Sequence, residues 1–229
     1  YPIHIEAGIT NKCSHRCIQC SLDWINHKND NIDSVIFIKM LNEAADIGVR
    51  SIYFAGEGEP TLHKDLYLFV KTAYDLGLKV AFSTNGSVLP NLINSLPYLS
   101  WLRFSVDAAS PEMYSDIHGT NNKDFDRVLE NIERIAKIKR RNNLQTTIGT
   151  QFLLIPQNVD RVVQFTKLMR DAGADNVQIK PYSQHPGSKN QFSINYEDYS
   201  HLESELNGFE EGNFRVLFRK GTMQRLKEK

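Results

Sequence analysis

Short apolar, β-branched or aromatic runs alternate along the chain with longer stretches of helical period. The runs at 3–7, 51–55, 79–83, 101–106, 147–154 and 176–180 read as strands. Between them, 34–47 carries Val35, Ile38, Leu41 and Ala45 at helical spacing and meets Gly48, a residue suited to ending a helix. The stretch 66–76 stops at Gly77 in the same way, 125–140 follows, and 159–172 stops at Gly173. Residues 182–193, "YSQHPGSKNQFS", have no period and read as a long loop; 196–206 reads as helix and 214–218 as a further strand. Strand and helix alternating about six times predict an α/β fold with a parallel sheet and crossover helices. A closed eight-unit barrel takes ~250 residues, so 229 residues predict a partial (β/α)6 TIM-like barrel.

Such a sheet places its chemistry at the carboxyl ends of the strands. The segments expected there are "NKCSHRCIQCSLDW" (11–24), "GEGEP" (56–60), "STNG" (83–86), "SVDAAS" (105–110) and "PYSQHPG" (181–187). All are polar or glycine-rich, and they gather on one rim.

The first of these holds all three cysteines of the chain, Cys13, Cys17 and Cys20, spaced C-x3-C-x2-C. One reading is a tetrahedral zinc site completed by His4, His15 or His27. Structural zinc motifs pair a C-x2-C with a second C-x2-C or a histidine pair, and only Cys17 and Cys20 supply such a half. The other reading is a [4Fe–4S] cluster, which normally takes four thiolates. Three leave one iron open, and an open position separates a catalytic metal from a structural one. An electron-transfer module without catalysis is a further alternative; the polar rim speaks against it, because an electron carrier needs no such pocket.

C-x3-C-x2-C after the first strand, with "GEGEP" after the second, resembles the radical S-adenosylmethionine (radical SAM) superfamily, strand by strand over nearly the whole chain. The resemblance implies a [4Fe–4S] cluster on Cys13, Cys17 and Cys20 whose open iron chelates S-adenosylmethionine. Reductive cleavage then yields methionine and a 5′-deoxyadenosyl radical that takes a hydrogen atom from substrate. It implies that Gly58, Glu59 and Pro60 hold the cofactor's ammonium group, with Glu59 as the contact. Glu57 stands where the family has glycine, as a second ammonium ligand or as a group facing substrate. Ser83 and Asn85 are implied in the methionine and ribose pocket, although Asn85-Gly86 is also a turn dipeptide. Ser105 and Asp107 share a face, with Val106 opposite, and suit a carboxylate or ribose; Ser110 is the better N-cap for a helix starting at Pro111. Leu154 and Ile155 are implied as apolar contacts to adenine. Gln19 replaces the aromatic residue usual before the last cysteine, and its amide lies against the adenine edge instead.

On the substrate side, Lys180 is a carboxylate contact of cofactor or of substrate. Tyr182 is a hydrogen-atom relay or a pocket wall, and His185 an acid or base near neutrality; a solvated loop is the plain alternative for all three. Asp23 and Trp24 are expected to cap the cluster loop, with core packing the other reading of Trp24. The implied substrate is a small polar molecule of the sugar or nucleotide type, with peptide modification as the alternative. A reductant such as flavodoxin or ferredoxin is the expected partner.

Composition agrees. Lys plus Arg and Asp plus Glu number 27 each, so the balance of charge gives no reason to expect nucleic acid or an anionic membrane as partner. No apolar run approaches the ~20 residues of a membrane span, and three clustered cysteines read as reduced thiols of a cytoplasmic protein. The chain opens at Tyr1 within a strand-like segment and stops in "MQRLKEK". It is therefore read as one core domain, 1–229, of a longer polypeptide, and the sequence leaves open whether a C-terminal auxiliary-cluster domain, carried by many members of the family it resembles, belongs to it.

Overall fold

The computed structural model describes residues 2–226; Tyr1 and the last three residues, at the ends read above as cut, lie outside the described part. Seven strands form one sheet: β1 (His4–Ala7), β2 (Ser51–Phe54), β3 (Lys79–Thr84), β4 (Leu99–Ser105), β5 (Thr147–Leu154), β6 (Asn176–Pro181) and β7 (Arg215–Phe218). They lie in chain order, each parallel to the next, and β1 and β7 do not pair, so the barrel is open. The seventh strand extends the six expected units.

The helices are α1 (Ser34–Asp46), α2 (Leu66–Asp75), α3 (Pro90–Ser95), α4 (Pro111–His118), α5 (Lys123–Arg141), α6 (Val162–Asp171), α7 (Leu202–Asn207) and α8 (Lys220–Arg225). The glycines expected to end helices do so, with φ of +90° at Gly48, +83° at Gly77 and +90° at Gly173. Ser110 caps α4 by accepting the Met113 amide. The segment read as 159–172 begins with a 3-10 turn, Val159–Arg161, before α6. The segment read as 196–206 is a 3-10 turn, Tyr196–Tyr199, followed by α7. The short α3 and α8 carry too few turns for periodicity to reveal them.

Strand alternation separates two environments. Ile52, Phe54, Val80, Phe82, Leu102, Phe104, Ile148, Phe152, Val177 and Ile179 point outward under the helices and are fully buried. The intervening positions, among them Tyr53, Ser83, Arg103, Ser105, Gln151 and Lys180, line the barrel interior. The core is therefore the layer between sheet and helices, and the interior is left polar for chemistry. In α1 the buried face is Phe37, Leu41 and Ala44. Of the expected stripe, Leu41 is buried and Ile38 and Ala45 pack half-buried against the core; Val35 alone is misassigned, at 77% exposed, because the Phe37 ring packs 4.5 Å from Phe69 and sets the helix rotation.

Phe69→Ala should lower the unfolding free energy by about 3–5 kcal/mol, as for a large ring lost from a packed core. Val35→Ala should change it by less than about 0.5 kcal/mol. Urea unfolding of the two variants tests the assigned face; equal losses would contradict it.

Candidate active site

The loop after β1 is pressed between two backbone surfaces. On one side the Glu59 amide donates to the Lys12 carbonyl at 2.7 Å. Gly58 lies so close that a Cβ there would stand 2.3 Å from the Lys12 carbonyl oxygen, so only glycine fits. On the other side the end of α4 holds the loop: Arg16 N–H donates to the His118 carbonyl (2.9 Å) and Ile18 N–H to the Ile117 carbonyl (2.8 Å). The Arg16 guanidinium folds back onto the carbonyls of Cys13 and His15.

Held this way, Cys13, Cys17 and Cys20 converge, half-buried and free of disulfides. All three thiols are pushed up, chiefly by burial, and Cys17 feels both other cysteines while Cys13 feels Cys20. A bound cation reverses this, since metal ligation requires the thiolates. The donor set therefore fits a thiolate-bound iron–sulfur cluster with fewer than four protein ligands. Of the histidines weighed for zinc, His4 bonds Ser51 at the surface and the His27 ring meets the Asn11 carbonyl. His15 lies with Cys17 and His118, their ligand atoms all within 4.8 Å.

His118 was missed from sequence. It lies 101 residues from Cys17, yet its Nδ1 is 3.2 Å from the Cys17 sulfur, and its Nε2 donates to the Val106 carbonyl at 2.7 Å. His15 is buried with neither ring nitrogen hydrogen-bonded, packed on Tyr114 and His118. Burial pushes His15 down to about 4 and His118 down to about 3, with His15 adding to the latter.

"GEGEP" is fastened to the end of β3. The buried Glu59 carboxylate accepts from the Thr61 amide and hydroxyl (3.1 and 2.7 Å), the Thr84 hydroxyl (2.8 Å) and the Asn85 amide (2.6 Å). Burial raises its pKa and these bonds oppose the rise. Glu59 also lines the cavity, so any contact to a cofactor is additional to this tie. Asn85 donates to Ser14 in the cysteine loop. Ser83 is engaged by Tyr53 (2.6 Å) and by Arg103 (3.1 Å).

Asp107 holds φ +53°, which turns its carboxylate to receive the Leu153 amide (2.6 Å) and the Gln19 side-chain amide (2.9 Å). Burial pushes it up to about 6. Gln19 thereby presents its carbonyl oxygen, which is buried without a partner, as is that of Gln151. Both residues line the cavity. Two orphan acceptors suit the ammonium and hydroxyl donors of a cofactor such as S-adenosylmethionine.

The cavity measures about 500 Å³. It brings together Cys13, Cys17, Cys20, Gln19, Glu57, Gly58, Glu59, Ser83, Asn85, Ser105, Asp107 and Lys180. Five expected residues do not line it, among them Ile155, which is fully buried in an apolar cluster with Ile117 and Tyr182. Pro60 opens a buried 3-10 turn. Leu154 faces the outer core, and alternation gives its place to Leu153. Tyr182 is buried beside Ile117 and Ile155 and borders an adjoining cavity. His185 is exposed and stacks on Trp24, ring centroids 5.5 Å apart. Asp23 accepts the Lys189 amide, so Asp23 and Trp24 dock the loop after β6 onto the cysteine loop. Arg103 and Gln151 were also missed, although each stands two residues or one strand from Ser105 on the inward face and alternation would have found them.

A family model described as the radical SAM superfamily matches residues 8–169. The chain belongs to the radical SAM superfamily. That family uses a [4Fe–4S] cluster and S-adenosylmethionine, and its members are enzymes. Over 154 residues, 63% of this chain and 47% of the relative, the chain is 30% identical to a GTP 3′,8-cyclase of Nautilia profundicola. Over 178 residues, 76% of this chain and 55% of the relative, it is 26% identical to a probable GTP 3′,8-cyclase of Saccharolobus islandicus. The chain thus spans about half the length of these relatives. Streptococcus suis SuiB bound to S-adenosylmethionine shares the fold, with TM-score 0.79 at 17% identity over 96% of this chain and 51% of SuiB. Among the described residues no helix is long and apolar enough to cross a membrane.

Two outcomes follow from the buried groups. Glu59→Gln replaces an acceptor oxygen by a donor facing other donors, and should cost the cluster-free protein about 1.5–3 kcal/mol in urea unfolding. The second concerns pH. An unfolded imidazole titrates near ~6.5, so the depressed values of His15 and His118 stabilise the fold above ~6.5 and that contribution is lost as pH falls. Asp107 acts oppositely: its contribution is present below the unfolded carboxylate value and is lost as pH rises through about 6. His118→Gln should therefore remove about 2 kcal/mol of the stability lost by cluster-free protein between about pH 7.5 and pH 5. An unchanged pH dependence would show that His118 is not buried neutral.

Proposed function

We propose that this chain is the catalytic core of a radical SAM enzyme that abstracts hydrogen from a small polar substrate of the sugar or nucleotide type. The observation that carries the reading is one cavity lined both by the three thiols and by polar groups from the ends of the strands. An electron carrier has no use for such a pocket. The cluster and S-adenosylmethionine, when bound, supply one-electron cleavage of the sulfonium to a 5′-deoxyadenosyl radical. The chain contributes the rest. The cysteine loop is fixed by backbone contacts before any ligand arrives, which limits what must be reordered on binding. Gln19 and Gln151 offer acceptors, Ser105 and Lys180 offer donors, and the docked loop after β6 braces the cysteine loop. The likeness to proteins named GTP 3′,8-cyclase supports a nucleotide-like substrate; peptide modification has only a fold likeness behind it. A flavodoxin- or ferredoxin-type reductant fits as electron donor.

Anaerobically reconstituted protein should bind about four irons and four sulfides. With dithionite it should release 5′-deoxyadenosine from S-adenosylmethionine, read by chromatography against a Cys17→Ala control. Stoichiometric zinc without iron, or cleavage no greater than the control in protein with an intact cluster, would sink the reading.

A further inference from the structure

The cofactor cavity opens into a second space of about 440 Å³ beneath the loop that follows β6. Gln19, Arg103, Leu153 and Lys180 line both, so the two are continuous. The second space differs in charge. Arg103, Lys180 and Arg219 reach it, and no carboxylate among the described residues lines it.

None of these cations is neutralised by a neighbour in contact. Arg103 spends its donors on the neutral groups of Tyr53, Ser83 and Gln178. Lys180 and Arg219 make no side-chain hydrogen bond or ion pair among the described residues. Burial pushes the Lys180 amine down, Arg103 and Arg219 push the same way, and Asp107 and Glu6 oppose them. Asp107 is already occupied by Gln19 and the Leu153 amide, and Glu6, exposed on β1, lines the cysteine-side cavity and makes no ion pair with Lys180. Tyr182 borders the same space, with its hydroxyl fully buried and without a partner. Lys180 and Arg103 are half-buried, and such cations without counter-charge are costly unless a ligand pairs with them, while Arg219 is exposed at the edge of the space.

We propose that Lys180 and Arg219 bind a phosphate or diphosphate group of the substrate, leaving the part to be attacked toward the cysteines. The proposal rests on the reading of the joined cavity as a radical SAM site and names the substrate class for it. Phosphate suits the site better than a monocarboxylate. Two or three positive charges call for a multiply charged anion, the Arg219 fork matches phosphate oxygens in pairs, and Lys180 acts as a point charge.

The test uses reconstituted protein and inorganic pyrophosphate as probe, by calorimetry. Pyrophosphate should bind, and Lys180→Gln and Arg219→Gln should each weaken it by about tenfold. Lys180→Arg should keep most of the affinity, and acetate should not compete. Absence of binding, or affinity unchanged in both Gln variants, would overturn the proposal. If a variant fails to fold, the wild-type chain still decides: pyrophosphate should slow acetylation of Lys180, mapped by peptide mass spectrometry, and equal labelling with and without it counts against the site. Cleavage of S-adenosylmethionine by the same preparation is scored separately. Cleavage without pyrophosphate binding sinks this inference alone, whereas an intact cluster without cleavage sinks the proposed reaction.

Discussion

A carboxylate withdrawn from water must be given hydrogen bonds by the chain, and Glu59 is given four. Their donors come from its own turn and from the end of β3, so this one buried group joins the carboxyl edges of neighbouring strands. The turn it fixes carries Gly58 and the Glu59 amide, the surface on which Lys12 rests. The cysteine loop therefore inherits its position from Glu59. The end of α4 closes on the loop from the other side, where Gly119, at φ +58°, allows the Arg16 carbonyl an approach that a side chain would block. The thiols converge because backbone meets backbone on both sides.

Much of this was legible in the sequence, for reasons that differ by residue. Strands and helices showed through because each strand buries its outward residues under a helix and repeats that pattern. The rim was legible because polar, glycine-rich segments follow each apolar run. Ser105 and Asp107 followed from alternation, and the same rule applied one step further yields Arg103, Gln151 and Leu153. Leu154 was misplaced because family likeness identified the strand end and not the face. His118 was hidden because its partner lies 101 residues away; nothing local marks a histidine at a helix end as one that meets a sulfur. Val35 was misplaced at the start of the α1 stripe because 34–47 is apolar on more than one face, and only packing of Phe37 against Phe69 chooses.

The interior is electrically divided. Toward the cysteines, burial raises every thiol, and the two nearby imidazoles are held neutral, so no cation of the protein stabilises thiolates there except Arg16 at Cys13 and Cys20. Toward β6 and β7, the cations stand without acids in contact. Filling either end with a ligand of opposite charge relieves a penalty built into the fold, and iron loading must expel protons from the thiols. The two ends share Gln19, whose amide answers Asp107 while its carbonyl is buried without a partner.

The loop after β6 leaves the sheet at the wall of the second cavity and then crosses to the cysteine loop. There Lys189 meets Asp23, Asn190 donates to the Ile18 carbonyl, and His185 lies on Trp24. A single span of chain thus walls the second cavity and braces the loop that carries the thiols. The two compartments share one structural member, so a change that loosens its hold on one slackens the other.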